Sequence, residues 1–174
     1  MGIERDIVVT KEKNVQNQNG STKPAGSMDA QGIMRYIPHR YPFLYVDQIL
    51  EREGTNYAIG VKNVSQNDPY LHREPGRKAR LPESILVECM SQVGAVATLS
   101  LPEHQGKIML FACVDDVKIH NPVYAGDSLI TRVERVFLKS GIGKMRAVAK
   151  VDGKLIAEGV LSFALADGVP AADR

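Results

Sequence analysis

Between Arg80 and Leu101 the chain loses its polar face. Ile85, Leu86, Val87, Cys89, Met90, Val93, Val96 and Leu99 are spread around a helical projection, with Gly94, Ala95 and Ala97 between them. A helix apolar on every side has to be enclosed by other structure. Pro82 suits a first helical position, because its missing N–H would be unpaired there in any case. Glu83 places a negative charge in the first turn, where it complements the helix dipole. The segment is too short, and at Glu88, Ser91 and Gln92 too polar, to cross a bilayer. After a break at Pro102–Gly106 come four apolar runs: Ile108–Ile119, Ser128–Leu138, Gly143–Val151 and Leu155–Leu165. They are parted by Ala125-Gly126-Asp127, Ser140-Gly141 and Asp152-Gly153, the last a tight-hairpin signal between two alternating runs. Ahead of the helix, Pro42–Glu51 and Tyr57–Val64 read as strands joined by a turn at Gly54-Thr55-Asn56. Ile33–Ile37 reads as one helical turn stopped by Pro38. Ser65–Arg80, holding Pro69, Pro75 and Gly76, is a long irregular loop of the kind that usually carries function in a compact domain.

The order strand, strand, long apolar helix, four strands with short connections implies an antiparallel sheet. To enclose the helix that sheet must curve around it, an α+β arrangement known as the hot-dog fold. One sheet cannot cover every side of the helix, so a second copy of the chain is the natural cover. At 174 residues the chain is long enough for one domain with a real core, expected over residues 31–166. Residues 1–30 are polar, with one short apolar run at Ile7–Val9, and read as a loosely attached leader; 167–174 read as a loose tail. The leader lacks the apolar core of a signal peptide, and Glu4, Asp6 and Glu12 argue against a transit peptide, so the expected compartment is cytoplasmic.

Composition narrows the function classes. A net charge of +2 with 24% charged residues gives no basic stripe of the kind nucleic-acid binding needs, and no apolar run is long enough to span a membrane. His39, His72, His104 and His120 show no metal-ligand spacing, so neither metal nor cofactor is expected. Cys89 and Cys113 read as buried, reduced thiols. Glu88 is the one formally charged residue between Ser84 and Leu101. A carboxylate in such a setting must be paired, hydrogen-bonded or protonated, which makes Glu88 the first functional candidate. Gln92, one turn later, is placed to orient it or to bond loop backbone.

Several segments resemble a known family. Ile37-Pro38-His39-Arg40-Tyr41-Pro42-Phe43-Leu44-Tyr45-Val46-Asp47 is similar to the opening P-H-R-Y/F-P-F-L-L-V-D of the 3-hydroxyacyl-acyl-carrier-protein dehydratases of bacterial fatty-acid synthesis (FabZ type). Lys62-Asn63-Val64-Ser65-Gln66-Asn67-Asp68-Pro69-Tyr70 resembles their K-N-V-S/T-x-N-E-P-F, and Leu86–Gln92 their L-x-E-A-x-A-Q. Phe111–Asp115 and Pro122–Asp127 resemble F-A-G-I-D and P-V-x-P-G-D. The resemblance, running from Ile33 to Leu165, implies the hot-dog fold and a carrier-bound acyl substrate. It implies a histidine from an H-F-P-G loop that removes a proton α to the thioester. It also implies a glutamate of the central helix, here Glu88, that helps expel the β-hydroxyl as water. A homodimer, or a hexamer built as a trimer of dimers, goes with it. So does a partner that is an acyl carrier protein or a CoA-bound acyl group.

The loop departs from that pattern. It reads Tyr70-Leu71-His72-Arg73-Glu74-Pro75-Gly76-Arg77. Asn67 and Glu88 stand 21 positions apart, the family's separation, and an ungapped match puts Glu74 in the place of the histidine. His72 lies 16 positions before Glu88, two more than the family's spacing. His72 is taken as the catalytic base, with Glu74 as the alternative, because Pro75-Gly76 preserves a turn after it. Glu83 replaces the glycine of the family's M-P-G at the helix start, keeping the N–H that would receive the thioester oxygen. Glu83, Gln92, Arg73, Arg77 and Lys78 are the expected substrate contacts, the cations for a pantetheine phosphate or an acidic carrier surface. His39 reads as a fold or tunnel-edge residue. The altered loop leaves open two other readings, an acyl thioesterase using the helix carboxylate as base or nucleophile and a non-catalytic acyl-binding paralogue.

Overall fold

The computed structural model describes residues 26–54 and 56–168, and the backbone of two short strands that pair with each other, β1 (Asn14–Gln16) and β2 (Thr22–Pro24). The rest of the expected leader and residues 169–174 of the tail lie outside the described residues. In chain order there follow β3 (Met28–Asp29), α1 (Ala30–Ile33), β4 (Gln48–Glu53), β5 (Tyr57–Asn63), α2 (Glu83–Leu99), a 3-10 turn at Pro102–His104, β6 (Lys107–Ile119), β7 (Ser128–Lys139), β8 (Ile142–Val151) and β9 (Lys154–Asp167). Seven strands form one antiparallel sheet in the order β3-β4-β5-β7-β8-β9-β6, and α2 packs on its inner face.

Alternation puts one face of each strand under the helix. Leu129, Thr131 and Val133 of β7, Met145, Ala147 and Ala149 of β8, and Leu161 and Phe163 of β9 are all buried. From α2 they meet Leu86, Met90, Val93, Val96 and Leu99. Helix and sheet approach most closely at two glycines. A Cβ on Gly60 would lie 2.4 Å from Val93 Cγ2, and one on Gly94 would lie 2.0 Å from Met145 Sδ. The hairpins at Ser140-Gly141 and Asp152-Gly153 have positive φ at both central residues, as the turn type that matches strand twist requires.

The helical turn expected at Ile33–Ile37 lies earlier, as α1 at Ala30–Ile33, and three further boundaries differ in ways that shape the body. The first strand begins at Gln48 rather than Pro42, because the N–H groups of Tyr45 and Val46 donate to Gln92 Oε1 and take no part in a ladder. The folded body starts before residue 31: Met28 and Asp29 pair with Ile49 and Gln48, and Asp29 Oδ1 caps α1 by accepting from Gly32 N–H at 2.9 Å. At the other end β9 runs to Asp167, whose carboxylate meets Lys107 Nζ at 2.8 Å, and Gly168 N–H bonds Gly106 O.

The helix is not enclosed by its own sheet alone. Ile85, Val87 and Glu88 remain partly exposed along one stripe of α2. Strand β6 pairs with β9 on one side only, and Leu110, Phe111, Val114 and Ile119 along it are exposed. A long apolar edge of this kind is a template for another strand.

Candidate active site

Glu88 sits on the partly exposed stripe of α2, with its side chain 34% exposed. One turn on, Gln92 is fully buried and spends every polar atom on protein. Its Oε1 accepts from Tyr45 N–H at 3.0 Å and Val46 N–H at 3.4 Å; its Nε2 donates to Phe43 O at 2.8 Å and to Glu88 Oε1 at 2.9 Å. Both uses foreseen for Gln92 are therefore realised at once: it binds loop backbone and it orients the carboxylate.

The second group on Glu88 is His39, whose Nε2 lies 3.3 Å from the same Oε1. The segment that carries it cannot continue α1, since Pro38 and Pro42 bracket it. Arg40 folds it instead, its guanidinium bonding the carbonyls of Met34, Ile37 and His39. His39 Nδ1 is buried without a hydrogen-bond partner. Behind the pair, burial pushes the Cys89 thiol well above its ordinary range. Burial first, and the Glu88 charge second, raise the Tyr45 phenol.

The loop after β5 is anchored at both ends. Lys62 is buried, and its ammonium meets Asp68 Oδ2 at 3.1 Å and Asp47 Oδ2 at 3.9 Å. Tyr70 lies edge-on to Tyr45 with ring centroids 5.0 Å apart, and burial, then the neighbouring Asp68, push its phenol far up. Arg73 donates to the carbonyls of Gln66 and Asp68, both at 2.8 Å, so its work is to hold the loop. His72 and Arg80 exchange backbone hydrogen bonds of 2.9 Å in each direction, and Arg80 in turn bridges to Tyr124.

Between that pair runs an exposed excursion, Arg73–Lys78. Glu74 and Arg77 form an ion pair at 3.0 Å on it, and Arg80 pairs with Glu83. His72, Glu74, Arg77, Lys78, Arg80 and Tyr124 line a cleft of about 510 Å³ beside the start of α2. Among the described residues no hydrogen bond or ion pair joins Glu88 to His72 or Glu74; its partners are His39 and Gln92. His39, read from the sequence as a fold or tunnel-edge residue, is the imidazole that stands against Glu88. The two prolines around it were the available signal, marking a segment that side chains rather than ladders must hold.

A curved antiparallel sheet around one helix with a carboxylate at its exposed stripe defines a hot-dog protein, and comparison with solved structures agrees. The dehydratase heterocomplex ApeI:P from Xenorhabdus doucetiae superposes with a TM-score of 0.68 at 16% identity, over 81% of this chain and 95% of that one. A thioesterase from Haemophilus influenzae does so at 0.55 and 18%, over 72% and 80%. These likenesses establish the α+β hot-dog fold. Residues 37–160 match the FabA-like domain, and the chain belongs to that family. It is 46% identical over 138 residues to 3-hydroxyacyl-acyl-carrier-protein dehydratase FabZ of Roseiflexus castenholzii, covering 79% of this chain and 96% of that protein. With the FabZ of Herpetosiphon aurantiacus it shares 44% over 141 residues, covering 80% and 99%.

Proposed function

We propose that the chain is a hydro-lyase that removes water from (3R)-3-hydroxyacyl groups held as thioesters on an acyl carrier protein, in fatty-acid or related acyl-chain synthesis. The observation that carries this is the 46% identity to a FabZ dehydratase across nearly that whole protein, with Glu88 standing on the helix where the family's carboxyl group is expected. The likeness to a thioesterase is one of fold at 18% identity and favours no hydrolytic reading.

Glu88 acts as the acid that lets the β-hydroxyl leave as water. His72 is the base that takes the α-proton, with Glu74 the alternative. The ion pair of Glu74 with Arg77 favours His72, whose imidazole has no side-chain partner among the described residues. The Glu83 N–H, in the first turn of α2, receives the thioester oxygen, where charge grows during proton removal. Arg77 and Lys78, exposed on the cleft rim, meet the phosphate of a pantetheine arm, on a carrier protein or on CoA. Glu83 is shared with Arg80, while Gln92 and Arg73 serve the site by holding Glu88 and the loop.

A second copy of the chain covers the open β6 edge and the Ile85–Val87–Glu88 stripe and brings its own loop towards the site. A homodimer, or three of them as a hexamer, is the working assembly. The compartment is the cytoplasm, where two free cysteines are ordinary.

Mass spectrometry of a (3R)-3-hydroxyacyl carrier protein treated with the full chain should show loss of one water. Glu88→Gln and His72→Ala should each slow that loss by about a hundredfold. A wild type that releases no water refutes the proposal, and a wild type that instead frees the acyl group restores the thioesterase reading. Turnover that survives His72→Ala but falls in Glu74→Ala moves the base to Glu74.

A further inference from the structure

We infer that His39 is a positioning residue for Glu88, holding Oε1 together with Gln92 so that Oε2 is the oxygen that works on the substrate. The inference rests on the dehydratase reading of this site and adds which atom acts and what aims it.

Three observations converge. The amide of Gln92 cannot be turned round. Its oxygen is claimed by the N–H groups of Tyr45 and Val46, so its NH2 group has to face Phe43 O and Glu88. Its donor therefore reaches Oε1 in one fixed direction.

The tautomer of His39 is decided by burial. Nδ1 is out of solvent and has no partner. A buried N–H without an acceptor costs about 1–3 kcal/mol, and orphaned donors are rarer in folded proteins than under-used acceptors. The proton of the neutral ring accordingly sits on Nε2, which faces Glu88 Oε1 across a polar contact of 3.3 Å.

Both contacts thus fall on one oxygen, a hydrogen bond from Gln92 at 2.9 Å and a polar contact from His39 at 3.3 Å, while Oε2 has no hydrogen-bond partner among the described residues. A hydrogen bond to a carboxylate is a strong one, and the Gln92 bond together with the His39 contact, made from a different element, fixes both the rotamer and the plane of the group. The His39 and Glu88 side chains are 33% and 34% exposed, so this contact lies at the open face of the helix and not in the core. A carboxyl group so held presents Oε2 to the substrate without having to be ordered on binding.

The test uses the full chain and a (3R)-3-hydroxyacyl carrier protein, with His39→Leu and His39→Gln compared. Glutamine carries an N–H at about the reach of Nε2, so it can restore the contact without being able to exchange a proton as imidazole does. His39→Leu should lower kcat by at least about tenfold, given that small misplacements at a reacting centre cost up to about a hundredfold. KM should stay within about twofold, and His39→Gln should recover most of the rate. Leucine turnover equal to wild type overturns the inference. So does a folded glutamine variant as slow as the leucine one, which would make His39 a proton carrier.

Nitrogen-15 spectra of the ring supply a readout independent of activity. An Nε2-protonated ring whose signal moves in Glu88→Gln supports the contact, and an Nδ1-protonated ring overturns it. If the wild type releases no water, the dehydratase reading falls by that result, and the spectrum alone decides the His39 contact.

Discussion

Replacing Gln92 by leucine tests the join between the central helix and the chain before β4. The side chain is fully buried, and leucine fills much the same volume. Tyr45 and Val46 N–H groups would lose the oxygen they share, at 3.0 Å and 3.4 Å. A buried polar group left unpaired costs about 1–3 kcal/mol, with the longer Val46 bond at the low end. Phe43 O also loses its donor, but that residue is 63% exposed and its carbonyl is close to water. Leucine returns about 1–2 kcal/mol through its apolar surface. The net loss should be about 1–2 kcal/mol at mid-range. With a urea m-value of about 2 kcal/mol/M, that lowers the unfolding midpoint by about 0.5–1 M. The measurement is urea unfolding by circular dichroism at one fixed chain concentration, since assembly adds to apparent stability. Turnover should fall with it, because Glu88 loses the hydrogen bond that Gln92 donates to Oε1. A variant within about 0.5 kcal/mol of wild type would refute the claim that these bonds replace a strand ladder.

Three further outcomes are expected. Gly60→Ala puts a methyl 2.4 Å from the stiff Val93 side chain, so thermal melting should show a loss of about 1–3 kcal/mol; an unchanged melt would mean that α2 lifts freely off the sheet. Asp115 is held down at about 2 by Ser162, Lys144 and Cys113, from an ordinary 3.8. A depressed carboxyl stabilises the fold above its unfolded value and loses that effect as pH falls through the folded one. Asp115→Asn should therefore lower the urea midpoint at pH 7, and the gap to wild type should close between about pH 4 and pH 2; a gap constant over that window refutes the assignment. Deleting residues 1–30 removes β3 and the Asp29 cap on α1, and a lost cap alone costs about 1 kcal/mol, so the melting temperature should drop by several degrees. An unchanged value would show that neither contact matters.

The strands and the long helix were legible because their patterns are local. Four apolar runs parted by glycine-bearing turns became β6 to β9, and the apolar stretch after Pro82 became α2. Glu88 was legible as a lone charge among apolar neighbours. What escaped were features decided between distant side chains. Gln92 meets backbone 46 to 49 positions upstream, which turned an expected strand at Pro42 into an irregular segment. His39 reaches Glu88 only because Arg40 gathers three carbonyls around that segment. No spacing rule in the chain encodes either contact.

The altered loop is where pattern and geometry bear on each other most directly. On spacing alone, a short register shift could carry His72 into the place that Glu74 occupies. The structure makes that shift expensive. His72 is tied to Arg80 by two backbone bonds of 2.9 Å, and Arg80 is bridged to Tyr124. Upstream, Arg73 grips the carbonyls of Gln66 and Asp68, and Asp68 is held by the buried ammonium of Lys62. Sliding His72 by two residues would break both backbone bonds and pull Arg73 from its carbonyls. The freedom of this loop is confined to the exposed residues Glu74–Lys78. If His72 is the base it works from its present position, with the substrate and the second chain brought to it, and His72→Ala should then slow turnover by about a hundredfold without changing the loop's protection from proteolysis. If Glu74 is the base, cutting its tie to Arg77 by Arg77→Ala should change the rate, while the same change should leave a His72-dependent enzyme's kcat near wild type.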